Sequence, residues 1–186
     1  MKIYKAFILF VFPTYIARII LIFSSNIYIE KKVKIGFSFI IADNINLKQN
    51  SLIGHFNFIK VNNLIMENKS QISRFNLIKG PIFLMMKKAS NIKQFNKITR
   101  AGFPITNGIS KFLIGENSIL GMNTFFDLTD SIFIDKNCVF AGIGTQLWTH
   151  GYYHFENGKR VRIEGEICIG ENNYIEIGRA SCRVRV

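Results

Sequence analysis

His150 and His154 stand four residues apart next to Gly142-Ile143-Gly144-Thr145-Gln146-Leu147-Trp148-Thr149, a glycine-punctuated stretch that also holds the chain's single tryptophan. Imidazole titrates near pH 6.5 when unperturbed, so a histidine held in such a segment suits general acid or base work close to neutrality. His150 is the first candidate and His154 the second. The competing structural reading makes Trp148 and Tyr152 core or interface aromatics and His150 a hydrogen-bonded turn residue. His55, in Gly54-His55-Phe56-Asn57, lies inside a regular apolar pattern and reads as structural.

The elements that must position these residues are repeats. From Val33 onward aliphatic residues recur every six positions at Ile35, Ile41, Leu47, Ile53, Ile59 and Ile65, then at Ile114, Leu120, Phe126 and Ile132, at Ile134 and Phe140, and at Ile169 and Ile175. Six is neither a helical period nor a simple strand period. A small residue often follows the large one, as in Ile53-Gly54, Ile114-Gly115 and Leu120-Gly121. Such hexads mark a parallel β-helix whose short strands wind into three-sided coils. Asparagines recur after the aliphatic pairs at Asn50, Asn117, Asn137 and Asn172, where a tolerance for left-handed backbone suits the coil corners. Between about Pro81 and Asn107 the hexad weakens, and strained coils with an irregular loop are expected, with Leu84, Ile92 and Ile98 keeping the core.

Leu47 to Met66 is 19 residues and Ile114 to Ile134 is 20, near the length of three hexads, whereas Ile134 to Ile169 is 35. One coil therefore carries an excursion, which falls at about residues 149–165. His150 sits where that excursion leaves the coil, the kind of place where rigid scaffolds carry functional groups.

Composition limits the alternatives. A hydrophobic share of 48% in 186 residues excludes a disordered chain and supplies one domain's core. Cys138, Cys168 and Cys182 show no metal-ligand spacing, which argues against a disulfide framework or a zinc site and fits a reducing compartment. The net charge of +12 invites polyanions, but the lysines and arginines are scattered and no nucleic-acid-binding signature accompanies them. An anionic cosubstrate or an acidic membrane surface fits better than nucleic acid. Residues 1–28 form a hydrophobic segment in which Pro13 and Arg18 interrupt the apolar run. We expect an α-helix there, residues 1–26 lying in a membrane interface or capping the first coil.

With these features the chain resembles the hexapeptide-repeat acyltransferases, which fold as a left-handed parallel β-helix. It is most similar to the O-acetyltransferases of lipopolysaccharide and capsule synthesis. The resemblance covers roughly Val33 to Ile175, and its most specific piece is Gly144-Thr145-Gln146-Leu147-Trp148-Thr149-His150-Gly151-Tyr152. The resemblance implies a β-helix domain over 29–175, transfer of an acetyl group from acetyl-CoA to a sugar hydroxyl, no metal, and a cytoplasmic homotrimer with sites between subunits. His150 would be the general base, with Asp127, about one coil earlier, orienting its imidazole or holding the sugar; a corner aspartate bonded to its own backbone is the alternative for Asp127. Gln146, Trp148, Thr149 and Tyr152 would contact substrate, and Arg160 and Arg162 would meet the phosphates of CoA. A backbone N–H beside the coil would stabilise the oxyanion.

The sequence departs from the family's pattern at Glu176, where a glycine and further coils are expected, and residues 176–186 form a non-repeat tail with the look of foreign sequence. That departure raises a truncated, inactive fragment as an expectation. Two other readings compete: a non-catalytic membrane-associated β-helix scaffold, and a zinc hydratase on the same repeat, which would require three imidazoles in register.

Overall fold

The computed structural model describes residues 26–156 and 158–176. They form a parallel β-solenoid of about six turns and contain no helix. Residues 1–25 of the N-terminal helix expected over 1–28 and residues 177–186 of the tail expected over 176–186 lie outside the described residues; Ile27 and Tyr28 are not helical but open the first strand, Ile27–Ile29, which pairs with Ile45–Leu47.

Each coil contributes to three faces. The first is built from the opening halves of Phe39–Leu47 and Phe58–Met66, then Leu77–Lys79, Lys97–Thr99, Phe125–Asp127 and Gln146–Trp148. The second takes Ile27–Ile29, the closing halves of the same two long strands, and Ile82–Met86, Ser110–Ile114, Ile132–Ile134 and Ile167–Ile169. The third is a seven-stranded sheet of two-residue strands, from Lys34–Ile35 to Tyr174–Ile175. All neighbours along the faces pair in parallel, in register, so like stacks on like: Ile40, Ile59, Ile78, Ile98 and Phe126 form one interior column. Ile53, Ile72, Ile92, Leu120 and Phe140 form another. These side chains are fully or almost fully buried, each stabilising the fold by roughly 1.5–3 kcal/mol. Gly115 and Gly121 are required by close approach, since a Cβ on either would stand 2.3 Å from backbone atoms of the next coil.

The corners follow two chemistries. Between the second and third faces Asn50, Asn117, Asn137 and Asn172 hold positive φ near 60°, the role the sequence suggested for them. Between the third and first faces phenylalanines do the same, with Phe56, Phe75 and Phe95 at positive φ and their exposed rings stacked with centroids 5.2 Å apart. A left-handed phenylalanine costs about 1–2 kcal/mol, and an aromatic pair returns about 0.5–1.5 kcal/mol. The stack therefore offsets much of the strain. Beneath it runs a buried amide ladder: Asn76 Nδ2 donates to Asn57 Oδ1 at 3.1 Å, Asn96 N to Asn76 Oδ1 at 2.9 Å, and Thr124 Oγ1 to Asn96 Oδ1 at 2.7 Å.

Two details of the repeat differ from the hexad reading. Ile41 and Ile65 point outward, and Ile40 and Leu64 take the interior places. In the nine-residue strands Phe39–Leu47 and Phe58–Met66 the chain turns the corner without leaving the sheet, which costs one residue of phase. Ile35 and Ile53 share a column of the third face, whereas Ile114 and Ile169 lie in a column of the second. Residues 81–100 also form a regular coil, with Ile82, Leu84, Met86, Ile92 and Ile98 all buried, and only residues 101–109 leave it.

Both departures from the coil occur at the corner between the first and second faces. The 101–109 loop leaves after Thr99, and one coil beyond the next corner an antiparallel hairpin, His150–His154 with Arg160–Glu164, leaves after Trp148.

Candidate active site

Parallel pairing sets Asp127 directly beside Trp148, so the corner that follows Asp127 lies under the root of the hairpin. Leu128 is buried and carries the chain around this corner, bringing Thr129 and Asp130 up beside Thr149 and His150.

His150 Nδ1 lies 2.8 Å from Asp127 Oδ2 and 3.2 Å from Thr129 Oγ1. The carboxylate is held further by the Thr129 N–H at 3.3 Å, the Thr129 hydroxyl at 3.2 Å and the Thr149 hydroxyl at 3.2 Å. The Asp127 side chain is 11% exposed and the His150 side chain 23%. Burial alone would raise the Asp127 carboxyl, but the hydrogen bonds from His150 and the Thr129 backbone, the imidazole's charge and the Thr129 hydroxyl together outweigh it. The group is held below the ordinary aspartate value and stays ionised at neutral pH. An ionised carboxylate accepts only, so it selects the imidazole tautomer with the proton on Nδ1. Nε2 then carries the lone pair, and it has no hydrogen-bond partner among the described residues. This is the geometry of a general base with its orienting acid.

Thr149 is buried, with its hydroxyl donating to Asp127 and accepting from the Asp130 N–H at 2.8 Å, so it positions the pair. Trp148 is half exposed, its ring 4.6 Å from Phe125 and edge-on to His150 at 6.0 Å. Tyr152 stands on the other side of the imidazole at 6.2 Å, also edge-on and exposed. Gln146 points outward and accepts from Trp148 Nε1 at 3.1 Å, fixing the indole. His150 thus lies between two aromatic rings.

The two arginines divide. Arg162 comes back to the dyad: Nε is 2.7 Å from Glu164 Oε1, Nη1 donates to the Ile105 carbonyl at 3.1 Å and Nη2 to Thr129 Oγ1 at 3.4 Å. Its guanidinium ties the hairpin to the 101–109 loop across the site and is engaged by the chain's own groups. Arg160 lies at the outer end of the hairpin, across from His154 and 6.0 Å from the Tyr152 ring, open to solvent. His154 is exposed there and makes no part of the dyad. His55 sits at the opposite corner of the coil, its Nδ1 accepting from the Phe37 N–H at 3.1 Å, and the described residues contain no group of three or more histidine, cysteine or carboxylate side chains placed to hold a metal.

Several site residues escaped the sequence reading. Thr129 lies 21 residues before His150, the same step that separates Asp127 from Trp148, and counting back one coil would have found it. Arg100 gave no such signal. Its buried guanidinium donates to the carbonyls of Thr129, Asn107 and Gly108, fastening the 101–109 loop to the corner beside the dyad.

The fold and site define a parallel β-solenoid with a histidine–aspartate pair set between two protrusions of one corner. No family model, no curated protein and no solved structure matches the chain.

Proposed function

We propose that the chain is a CoA-dependent O-acetyltransferase that moves an acetyl group from acetyl-CoA to the hydroxyl of a sugar in a surface-polysaccharide precursor. The observation that carries the reading is the 2.8 Å contact between His150 Nδ1 and Asp127 Oδ2, which leaves Nε2 as a base at the only corner from which both protrusions of the described solenoid depart. Acyl transfer to a hydroxyl needs the proton removed as oxygen attacks the thioester carbonyl, and Nε2 takes it while Asp127 stabilises the imidazolium that forms. The proton then leaves with the departing thiol. No enzyme nucleophile is required. Trp148 and Tyr152 offer apolar ring faces to a pyranose, and Arg160 offers the hairpin's open cation to a phosphate of the donor.

A homotrimer with sites between subunits, a cytoplasmic location and contact of residues 1–26 with the inner membrane surface belong to the same proposal. They rest on the resemblance of the repeat and of the Thr149-His150 segment.

The test is acetyl transfer from radiolabelled acetyl-CoA to a panel of sugars and nucleotide sugars by the wild-type chain and by His150→Ala. The variant should keep the wild-type melting temperature and lose turnover by about 10²–10⁴-fold, the usual contribution of a general base. Equal turnover in the two proteins removes His150 as the base, and no turnover in wild type with any acceptor removes the reaction.

A further inference from the structure

The outer surface of the first face leads from the dyad into a row of cations. Register pairs Lys60 with Lys79, Lys79 with Thr99, and Thr99 with Asp127, so these side chains form a single outward column that ends beneath His150. Lys97, two residues before Thr99 on the same strand, shares this surface and holds its ammonium 5.4 Å from the Phe125 ring. Lys60, Lys79 and Lys97 are all exposed, and along the strands of this face the carboxylates are Asp127 at one end of the column and Asp43 at the corner of the strand beside Lys60.

Beside the same two lysines an open groove of about 480 Å³ runs toward the corner, lined by Lys60, Lys79, Arg100, Gly80, Pro81 and Asp43 among others. Three cations face one carboxylate there, and Asp43 already accepts from Asn62 Nδ2 at 3.0 Å. An open groove of net positive charge, with exposed ammoniums on a paired strand, favours a compact polyanion.

Distance selects which one. Each ladder step is about 4.8 Å, so Lys79 stands about 10 Å and Lys60 about 14 Å along the face from Asp127. A pyranose whose hydroxyl meets His150 Nε2, lying over Thr99 and against Phe125, would bring a phosphate on its anomeric carbon to Lys79 and a second phosphate to Lys60. We propose that this face is the docking track for an acceptor that carries phosphate: a sugar joined to a mono- or diphosphate group. The inference rests on the acetyltransferase reading for what happens at the hydroxyl, and on the lysine column alone for the phosphate.

The experiment is calorimetric titration of the full chain with UDP-N-acetylglucosamine, plain N-acetylglucosamine and adenosine 3′,5′-bisphosphate, the last standing in for the donor's nucleotide. The variants are Lys60→Gln with Lys79→Gln, and Lys34→Gln with Lys111→Gln, which removes the same two charges from the other faces; melting curves check that each folds. The expected result is that wild type prefers the sugar nucleotide to the plain sugar by at least about tenfold, that the first double variant loses that preference, and that the second keeps it within about twofold. Equal affinity for the two sugars, equal losses in the two double variants, or a loss confined to the bisphosphate overturns the proposal. His150→Asn separates it from the reaction. Retained sugar-nucleotide binding together with undiminished acetyl transfer in that variant would sink the general base and leave the track standing, whereas transfer to sugar nucleotides that is abolished in His150→Asn but untouched by the Lys60 and Lys79 changes would do the reverse.

Discussion

Replacing Asp127 by asparagine tests the site without knowledge of the acceptor. The carboxylate accepts one hydrogen bond from His150 Nδ1 at 2.8 Å, and a bond to a charged partner contributes about 1.5–3 kcal/mol. At 1.4 kcal/mol per factor of ten, that holds the Nδ1–H tautomer over its alternative by about 10- to 150-fold, so more than roughly nine in ten neutral imidazoles carry the proton on Nδ1. An asparagine can present either its carbonyl or its amide to the ring, and the bias disappears. Nitrogen-15 NMR of histidine-labelled protein above pH 8 reads the tautomer at each ring nitrogen. Wild type should show His150 with a protonated Nδ1 and a bare Nε2, and the variant should show a mixture or the reverse. Turnover, once an acceptor is found, should fall by about 10- to 150-fold, because loss of the tautomer bias costs only about twofold but the imidazolium that forms in the transition state also loses its charge-assisted hydrogen bond to the carboxylate. A wild-type imidazole protonated mainly on Nε2, or a tautomer unmoved by Asp127→Asn, would refute the assignment of Asp127 as the orienting group.

Arg100→Gln should leave the solenoid folded and free the 101–109 loop, seen as faster amide exchange at Thr106 and Ser110 with no change at Ile59 or Ile72; uniform protection would show that the guanidinium does not fasten the loop. Gly121→Ala places a Cβ 2.3 Å from the Phe140 carbonyl oxygen and should cost about 1–3 kcal/mol of overpacking, read as a drop in Tm of several degrees. Asn76→Ala removes the acceptor of the Asn96 N–H and should destabilise by about 1–3 kcal/mol in chemical denaturation, whereas the exposed Asn44→Ala should change little. The folded Asp127 carboxyl is held below its unfolded value of about 3.9, so its contribution to stability is complete above that pH and is lost as pH falls through the lower folded value. Acid melts of wild type and Asp127→Asn should therefore keep a constant gap well above about pH 4 and draw together as pH falls below it; a gap that stays constant through the acid range would count against an ionised Asp127 in the fold.

The interior of the solenoid could be read from the chain because one residue type at one spacing has one physical meaning. An aliphatic side chain that recurs once per face must stack on its equivalents, and Ile53, Ile59, Leu120, Phe126 and Phe140 do so. The reading slipped where a strand rounds a corner without a turn. At Ile41 and Ile65 the apolar letter survives on the outer surface, and hexad counting cannot tell it from the neighbour that is buried. The phenylalanine corners were hidden for a related reason: Phe56, Phe75 and Phe95 look like core residues, yet they hold positive φ with their rings stacked between coils, a backbone conformation that Lys69 and Ala89 adopt at other corners.

The same distinction explains the site. His150 stood out because glycines and a tryptophan break the rhythm around it, but the groups that fix its chemistry are ordinary residues made special by the coil length. Thr129 is one 21-residue turn before His150, so register brings its hydroxyl to the imidazole, while its hydroxyl and backbone N–H reach Asp127 locally, two residues away. Lys60, Lys79 and Asp127 are 67 residues apart in the chain at their extremes, yet three ladder steps join them. In a repeat fold each coil can be altered almost independently while its neighbours hold the ladder. A reactive pair on two adjacent coils and a cationic approach on the coils below them can therefore be built from separate positions. That independence is what allows the lysine pair to be removed without disturbing His150, and it makes the two proposals separable by experiment.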